Sequence, residues 1–263
     1  MSSDFFNVLV LGDIVGKPGR EIIKFHLSEL IRKYNINFTI ANGENSAGGF
    51  GITAKITREL LTAGVDVITT GNHIWKNKDV LNIIDQESRL LRPLNYPEGL
   101  PGNGFGIFNK EGIKVLVINL LGRVNLLEVD CPFQKIKNLL EQITSFDIAI
   151  VDFHAETTSE KNAMGWFLDG KVSAVVGTHT HIQTADERIL PKGTAFITDI
   201  GMCGSFNSII GMNIDNILQH FLTRMPIKFK IATENVGING VIISIDRKDF
   251  KSKEIKRVKF FPE

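Results

Sequence analysis

The sequence predicts an α/β fold. Short apolar runs of strand length recur along the chain, segments of helical period separate them, and several runs end directly in Gly, Asp, Glu, Asn or His.

The first run, Val8-Leu9-Val10-Leu11, reads as a buried strand bounded by Gly12-Asp13. A helix follows from Pro18 to about Tyr34, with Pro18 at the first helical position, where its missing N–H costs nothing. Phe38-Thr39-Ile40-Ala41 is the next strand. Beyond a Gly-rich loop, a helix capped by Thr53 and closed by Gly64 leads into a strand from Val65 to Thr70. Further strands are expected at Val115 to Asn119, Ile148 to Asp152, Val172 to Gly177, Ala195 to Thr198 and Gly240 to Ile245. The segment from Leu90 to Asn119 and the tail beyond Lys228 read as strand, turn, strand, so antiparallel pairs are appended. A sandwich of two sheets between helices fits these readings.

The 263 residues, 43% of them hydrophobic, suit a single globular domain spanning 1–263, and no repeat, linker or low-complexity stretch divides it. With 30 basic and 29 acidic side chains the net charge is +1, so no global field holds nucleic acid or an anionic membrane. Stable nucleic-acid binding is not expected, and any anion must be recognised locally. Met1 to Asn7 lacks the pattern of a secretory leader, and no apolar run is long enough to span a bilayer; the expected location is cytoplasmic, with no membrane partner. Cys131 and Cys203 are far apart without a C-x-x-C pattern, which excludes a disulfide framework and a zinc knuckle.

Function is read from the strand ends. Five predicted strands run into Gly12-Asp13, Gly43-Glu44-Asn45, Gly71-Asn72-His73, His154 and His179-Thr180-His181. Carboxyl ends of strands in open α/β sheets line one crevice, so these residues are expected to meet. Singly, each has an ordinary reading: Asp13 as a turn former or helix cap, Gly-Asn-His as a loop tripeptide. The pair His179 and His181 says more, because alternate residues on an extended segment present two imidazoles to one side. Four of the six histidines occupy strand ends, while His26 and His220 fall in helical stretches and receive no role. Trp75 and Trp166 read as core-filling.

These ordered segments resemble the calcineurin-like metallophosphoesterase superfamily. Val10-Leu11-Gly12-Asp13-Ile14-Val15-Gly16, Ala41-Asn42-Gly43-Glu44-Asn45 and Thr198-Asp199-Ile200-Gly201-Met202 are similar, more narrowly, to the YmdB family of bacterial cyclic-nucleotide phosphodiesterases. The resemblance covers essentially the whole chain and implies a four-layer sandwich of two mixed β-sheets flanked by helices. Two departures from the wider superfamily stand out. Val15 occupies the place of a histidine in the first motif, and Glu44 stands where most members bridge their metals with Asp. The resemblance implies two metal ions, one held by Asp13, Glu44, Asn45 and His181 and the other by Glu44, Asn72, His154 and His179. Carboxylate and amide oxygens beside imidazoles point to iron or manganese rather than copper.

Two metals about 3.5–4 Å apart lower the pKa of a shared water and aim it at phosphorus, so no nucleophilic side chain is required. The activity implied is hydrolysis of cyclic nucleotides, 2',3'-cyclic ones preferred, with His73 outside the metal shell as general acid for the ribose alkoxide. A phosphomonoesterase acting on nucleotides or phosphoproteins, and a nucleotide- or RNA-binding regulator with incidental turnover, remain alternatives. Asp152, Glu156 and Asp199 are placed to accept the outer N–H of a ligand imidazole or to serve as caps, and Arg20 to reach a phosphate or face solvent. Gly48-Gly49-Phe50-Gly51 could bend the chain near the ligand and bring Phe50 against a base. Phe5, Phe6 or other exposed apolar residues could serve a homo-oligomer interface.

Overall fold

In the computed structural model, which describes residues 4–262, β1 (Phe5–Leu11) alternates between two cores. Phe6, Val8 and Val10 face one, Leu9 and Leu11 the other. A strand buried on both faces needs a layer on each side, and the rest of the chain supplies them. The order continues β2 (Asp13–Ile14), α1 (Gly16–Lys33), β3 (Phe38–Asn42), α2 (Ala54–Thr62), β4 (Val67–Thr69), a 3-10 turn (Lys78–Asn82), β5 (Phe105–Lys110) and β6 (Ile113–Leu121). It ends with α3 (Pro132–Gln142), β7 (Ile148–His154), α4 (Thr158–Leu168), β8 (Ala174–Thr178), β9 (Arg188–Ile189), β10 (Ala195–Ile197), β11 (Met202–Ser205), α5 (Ile214–Thr223), β12 (Val236–Asp246) and β13 (Ser252–Phe260).

One sheet runs β2-β11-β12-β1-β3-β4, with β13 also paired to β12; the other runs β5-β6-β7-β8-β10-β9. Both are mixed. β1, β3 and β4 are parallel, as are β6, β7, β8 and β10, whereas β5–β6 and β12–β13 are antiparallel hairpins in the two segments that read as strand, turn, strand. Val8, Ile40, Val117, Ile150, Val176 and Ile243 meet between the sheets. α1 and α2 cover the first sheet through Ile23, Leu27 and Leu60, and α3 and α4 cover the second through Ile136, Met164 and Leu168. The fold is therefore a four-layer sandwich of two mixed sheets flanked by helices.

Local chemistry explains most boundaries. Thr53 caps α2, its hydroxyl oxygen accepting from Ile56 N at 3.2 Å, and Gly64 follows the helix at φ +112°, a conformation side chains resist. α1 differs from its expected start: it begins at Gly16, so Pro18 is its third residue, still within the turn whose N–H groups lack helical partners. Trp166, expected to fill the core, is 54% exposed on the outer face of α4. Phe6 is buried between the sheets, which removes it from any interface between copies. Among the described residues no helix is long and apolar enough to cross a membrane.

Candidate metal centre

β1, β3 and β4 end on the same side of their sheet as β7 and β8 do on theirs, and the residues just beyond those ends converge. All eight candidates, Asp13, Glu44, Asn45, Asn72, His73, His154, His179 and His181, belong to one cluster of contacts. Gly71 makes the approach possible, since a Cβ there would collide with the His154 ring and the Glu44 carboxylate.

One group gathers at the His154 ring. Its Nε2 lies 3.0 Å from Glu44 Oε1, 3.1 Å from Asn72 Oδ1 and 3.0 Å from His179 Nδ1. Atoms of Glu44, His154 and His179 come within 4.8 Å of one another, which makes the three a possible cation site. A second group lies around His181, whose Nε2 is 3.0 Å from Asn45 Nδ2 and 3.8 Å from Asp13 Oδ1. Glu44 joins the two groups: Asn45 Nδ2 donates to its Oε1 at 3.2 Å, and its Oε2 accepts His73 N–H at 3.0 Å. Asn45 Oδ1 lies 2.8 Å from His73 Nδ1.

Burial sets the electrostatics. Asp13, Glu44 and His154 are fully buried. Burial lifts the Asp13 carboxyl above the usual range, against the pull of His181 and His154. For Glu44 burial acts in the same direction, but the attraction and hydrogen bond of His154, with His73 adding to them, outweigh it and hold the carboxyl low. Burial opposes charge on His154, yet Glu44, Asp13 and Asp152 push it up to about 9. His179 is pushed down to about 3 by burial and by His154. Asp13 Oδ1 is buried with no hydrogen-bond partner among the described residues. A buried carboxylate oxygen left in this way, facing imidazole nitrogens, is what a cation would satisfy. The donor set therefore fits metal.

Groups behind the cluster fix its orientation. Thr178 Oγ1 donates to Asp152 Oδ1 at 2.6 Å and lies 2.9 Å from His154 Nδ1. The hydroxyl proton is engaged by Asp152, so the oxygen accepts Nδ1–H, and Nε2 is the nitrogen that faces the cluster. Asp152 thus reaches His154 by hydrogen bonds through Thr178, besides the direct pull of its charge. Glu156 Oε2 reaches His179 Nε2 at 3.0 Å, as one of its expected roles required. Asp199 touches no imidazole among the described residues; its Oδ2 accepts from Thr180 N at 3.1 Å and Thr180 Oγ1 at 2.7 Å, and pairs with the buried Lys161 Nζ at 2.7 Å.

The segment from His179 to His181 is not extended. The two histidines have φ of +101° and +66°, and β8 ends before them. Asp13 Oδ2, accepting His179 N–H at 3.1 Å, and Asp199, holding Thr180, support this sparsely populated backbone. Arg20 is held behind the loop that carries Asn45: its guanidinium donates to Ser46 O and lies 3.5 Å from Glu59. Asn42, whose Nδ2 donates to Asp152 Oδ2 at 3.0 Å, and Thr178 receive no role from the sequence, though both are polar residues closing apolar strands; Lys161, between Glu160 and Asn162, reads as a solvated helix position. His220, assigned no role, lines the cavity described next.

A cavity of about 490 Å³ opens over the cluster. Its floor includes Glu44, Asn45, His73, His179 and His181, and its sides are apolar, with Phe50, Met212, Ile217, Phe221 and Phe229. Phe50 stands edge-on to the His73 ring with centroids 5.0 Å apart, so the Gly-flanked loop does bring it to the site.

The chain is similar to known proteins over nearly its whole length. The chain is 47% identical over 252 residues, 95% of its length and 96% of the relative's, to a 2',3'-cyclic-nucleotide 2'-phosphodiesterase of Bacillus subtilis (strain 168). A crystal structure described as a novel phosphatase from Mycoplasma pneumoniae superposes with a TM-score of 0.92 at 38% identity, covering 98% of this chain and 94% of that one. A crystal structure of a hypothetical protein from Thermus thermophilus gives 0.93 at 38% identity, covering 98% and 100%. The family model described as YmdB-like protein matches residues 9–258, and the chain belongs to that family, within the metallophosphoesterase type.

Proposed function

We propose that the protein hydrolyses 2',3'-cyclic nucleotides with two metal ions, iron or manganese or one of each. The observation that carries the reading is the convergence of two buried carboxylates, two amides and three imidazoles in one cluster, of which Glu44, Asn45, His179 and His181 line the cavity, with Asp13 Oδ1 unsatisfied. Asp13, Glu44, Asn45 and His181 would hold one ion, and Glu44, Asn72, His154 and His179 the other. This division follows the two contact groups. In the amide orientation described above, Asn45 offers N–H to His181, so shared coordination calls for a half-turn that brings its oxygen round. Carboxylate and amide oxygens with imidazole nitrogens suit iron and manganese.

Such a pair of cations supplies an acidified water and offsets the charge that builds on the phosphoryl oxygens. The chain's own residues do the rest. Thr178 and Asp152 hold His154 in one tautomer, Glu156 orients His179, and Asp199 fixes the loop between His179 and His181. His73 is the proton donor to the leaving ribose oxygen. It would act as the imidazolium, with Nδ1–H held by Asn45 Oδ1 and Nε2–H left to give; burial works against that charge and Glu44 supports it, and the residue lines the cavity.

The test is metal analysis coupled to a substrate panel. Chelation is expected to abolish turnover, Mn²⁺ or Fe²⁺ to restore it, and cyclic diesters to turn over faster than phosphomonoesters. Full activity in protein verified as metal-free would sink the two-metal reading. Faster cleavage of monoesters would move the protein to phosphomonoesterase.

A further inference from the structure

Residues 213–230 leave the body of the fold as an excursion closed at its base by the Met212–Ile231 bridge and by Asn213 N donating to Lys230 O at 2.8 Å. α5 forms most of it and, among the described residues, buries only Ile217. Phe221 is 61% exposed and Phe229 38%. Both aromatic rings nevertheless line the cavity whose floor is the ligand cluster. His220 touches both, with ring centroids 6.0 Å from Phe221 and 5.5 Å from Phe229, and its Nδ1 is tied to Met225 O at 3.0 Å.

With metal bound as proposed above, the floor would take the phosphate, which leaves the apolar side of the cavity for another part of the substrate. Ligand sites of about 300–1,000 Å³ combine a few placed polar groups with such apolar walls. Resting on the diesterase reading, we infer that Phe221 and Phe229 form the subsite for the nucleobase, which they take by stacking. Stacking is tolerant because every base has a π-face. The wall is mostly hydrocarbon, so purine and pyrimidine esters are both admitted.

The experiment uses the metal-loaded protein with two cyclic esters, adenosine 2',3'-cyclic phosphate and methyl ribofuranoside 2,3-cyclic phosphate, which carries the same ring ester without a base. The readout is the ratio of their kcat/KM values. Wild type should favour the nucleotide. Phe221→Ala should reduce that preference about 5- to 150-fold, the range that loss of one base–aromatic stack produces, mostly through KM. Phe221→Trp should retain it, and Phe229→Ala should reduce it as well. An unchanged ratio in both alanine variants overturns the subsite, as does a parallel loss on both esters, which would indicate a packing role for the excursion. In either case the diesterase reading stands. Wild-type protein that cleaves neither ester removes that reading and the subsite with it.

Discussion

Glu44 Oε1 lies 3.0 Å from His154 Nε2, and both side chains are fully buried. The contact joins the loop after β3 of one sheet to the end of β7 in the other, and the same oxygen accepts from Asn45. Glu44→Gln keeps the shape and removes the charge that the whole cluster shares. It is expected to reduce metal content and turnover by more than the roughly 10- to 100-fold typical of residues behind a metal, and to be more damaging than Asn45→Ala, which removes one neutral group. Metal content and turnover equal to wild type in Glu44→Gln would take the residue out of the site.

The same pair predicts how metal uptake depends on pH. With its value raised to about 9, His154 is protonated at neutral pH in the metal-free protein and must lose that proton to offer Nε2 to a cation. Apparent affinity should therefore rise about tenfold per pH unit between about pH 7 and 9 and level off above, one proton being displaced. His179, pushed down to about 3, is already neutral and adds no proton of its own. Calorimetric titration with Mn²⁺ in buffers of different ionisation enthalpy counts the protons; none released at pH 7 would contradict the assignment.

Thr178→Val removes the hydroxyl between His154 Nδ1 and Asp152 while leaving every proposed ligand in place. Metal affinity is expected to fall about 10- to 100-fold, as for other residues that orient a ligand imidazole. Thr178→Ser, which restores the hydroxyl, should recover most of it. Wild-type affinity in the valine variant would show that His154 needs no such partner.

Lys161→Met leaves Asp199 buried without its cation. Removing one partner of a buried pair costs on the order of 3–5 kcal/mol, so chemical denaturation should show a loss of that size. The Thr180 loop, held by the same carboxylate oxygen, should loosen, and metal affinity should fall with it. A variant as stable as wild type would mean that water or a rearranged neighbour replaces the ammonium.

His73→Asn should keep both metals and lose about 10²–10⁴ in rate on cyclic nucleotides, the usual worth of a general acid. A nitrophenyl diester, whose leaving group departs without a proton, should lose far less. Equal losses on both, or loss of metal, would reassign His73 as a ligand or a support for Glu44, whose Oε2 accepts its backbone N–H.

Local pattern along the chain was enough to establish the α/β class, the hairpins at β5–β6 and β12–β13 and which candidate residues come together. The signals were apolar runs with few polar interruptions, Thr53 and Gly64 at the ends of α2, and ligand residues directly after strands. Parallel strands place their carboxyl ends on one side, so strand order alone brought Asp13, Glu44, Asn72, His154 and His179 toward a common point. What lies behind and above that point emerged only in the folded chain. Asp199 reaches Thr180 rather than an imidazole because His179 and His181 sit on a left-handed kink, a backbone state that no local pattern announces. Lys161 is buried because α4 turns it toward Asp199, and Arg20 is held by Ser46 O and Glu59. The position of α5 rests on contacts between its two flanks, the Met212–Ile231 bridge and Asn213 N donating to Lys230 O, and on the buried Ile217, which together bring His220 and Phe221 to the cavity. Periodicity records which face of an element is buried; it does not record which distant group the remaining side chains meet.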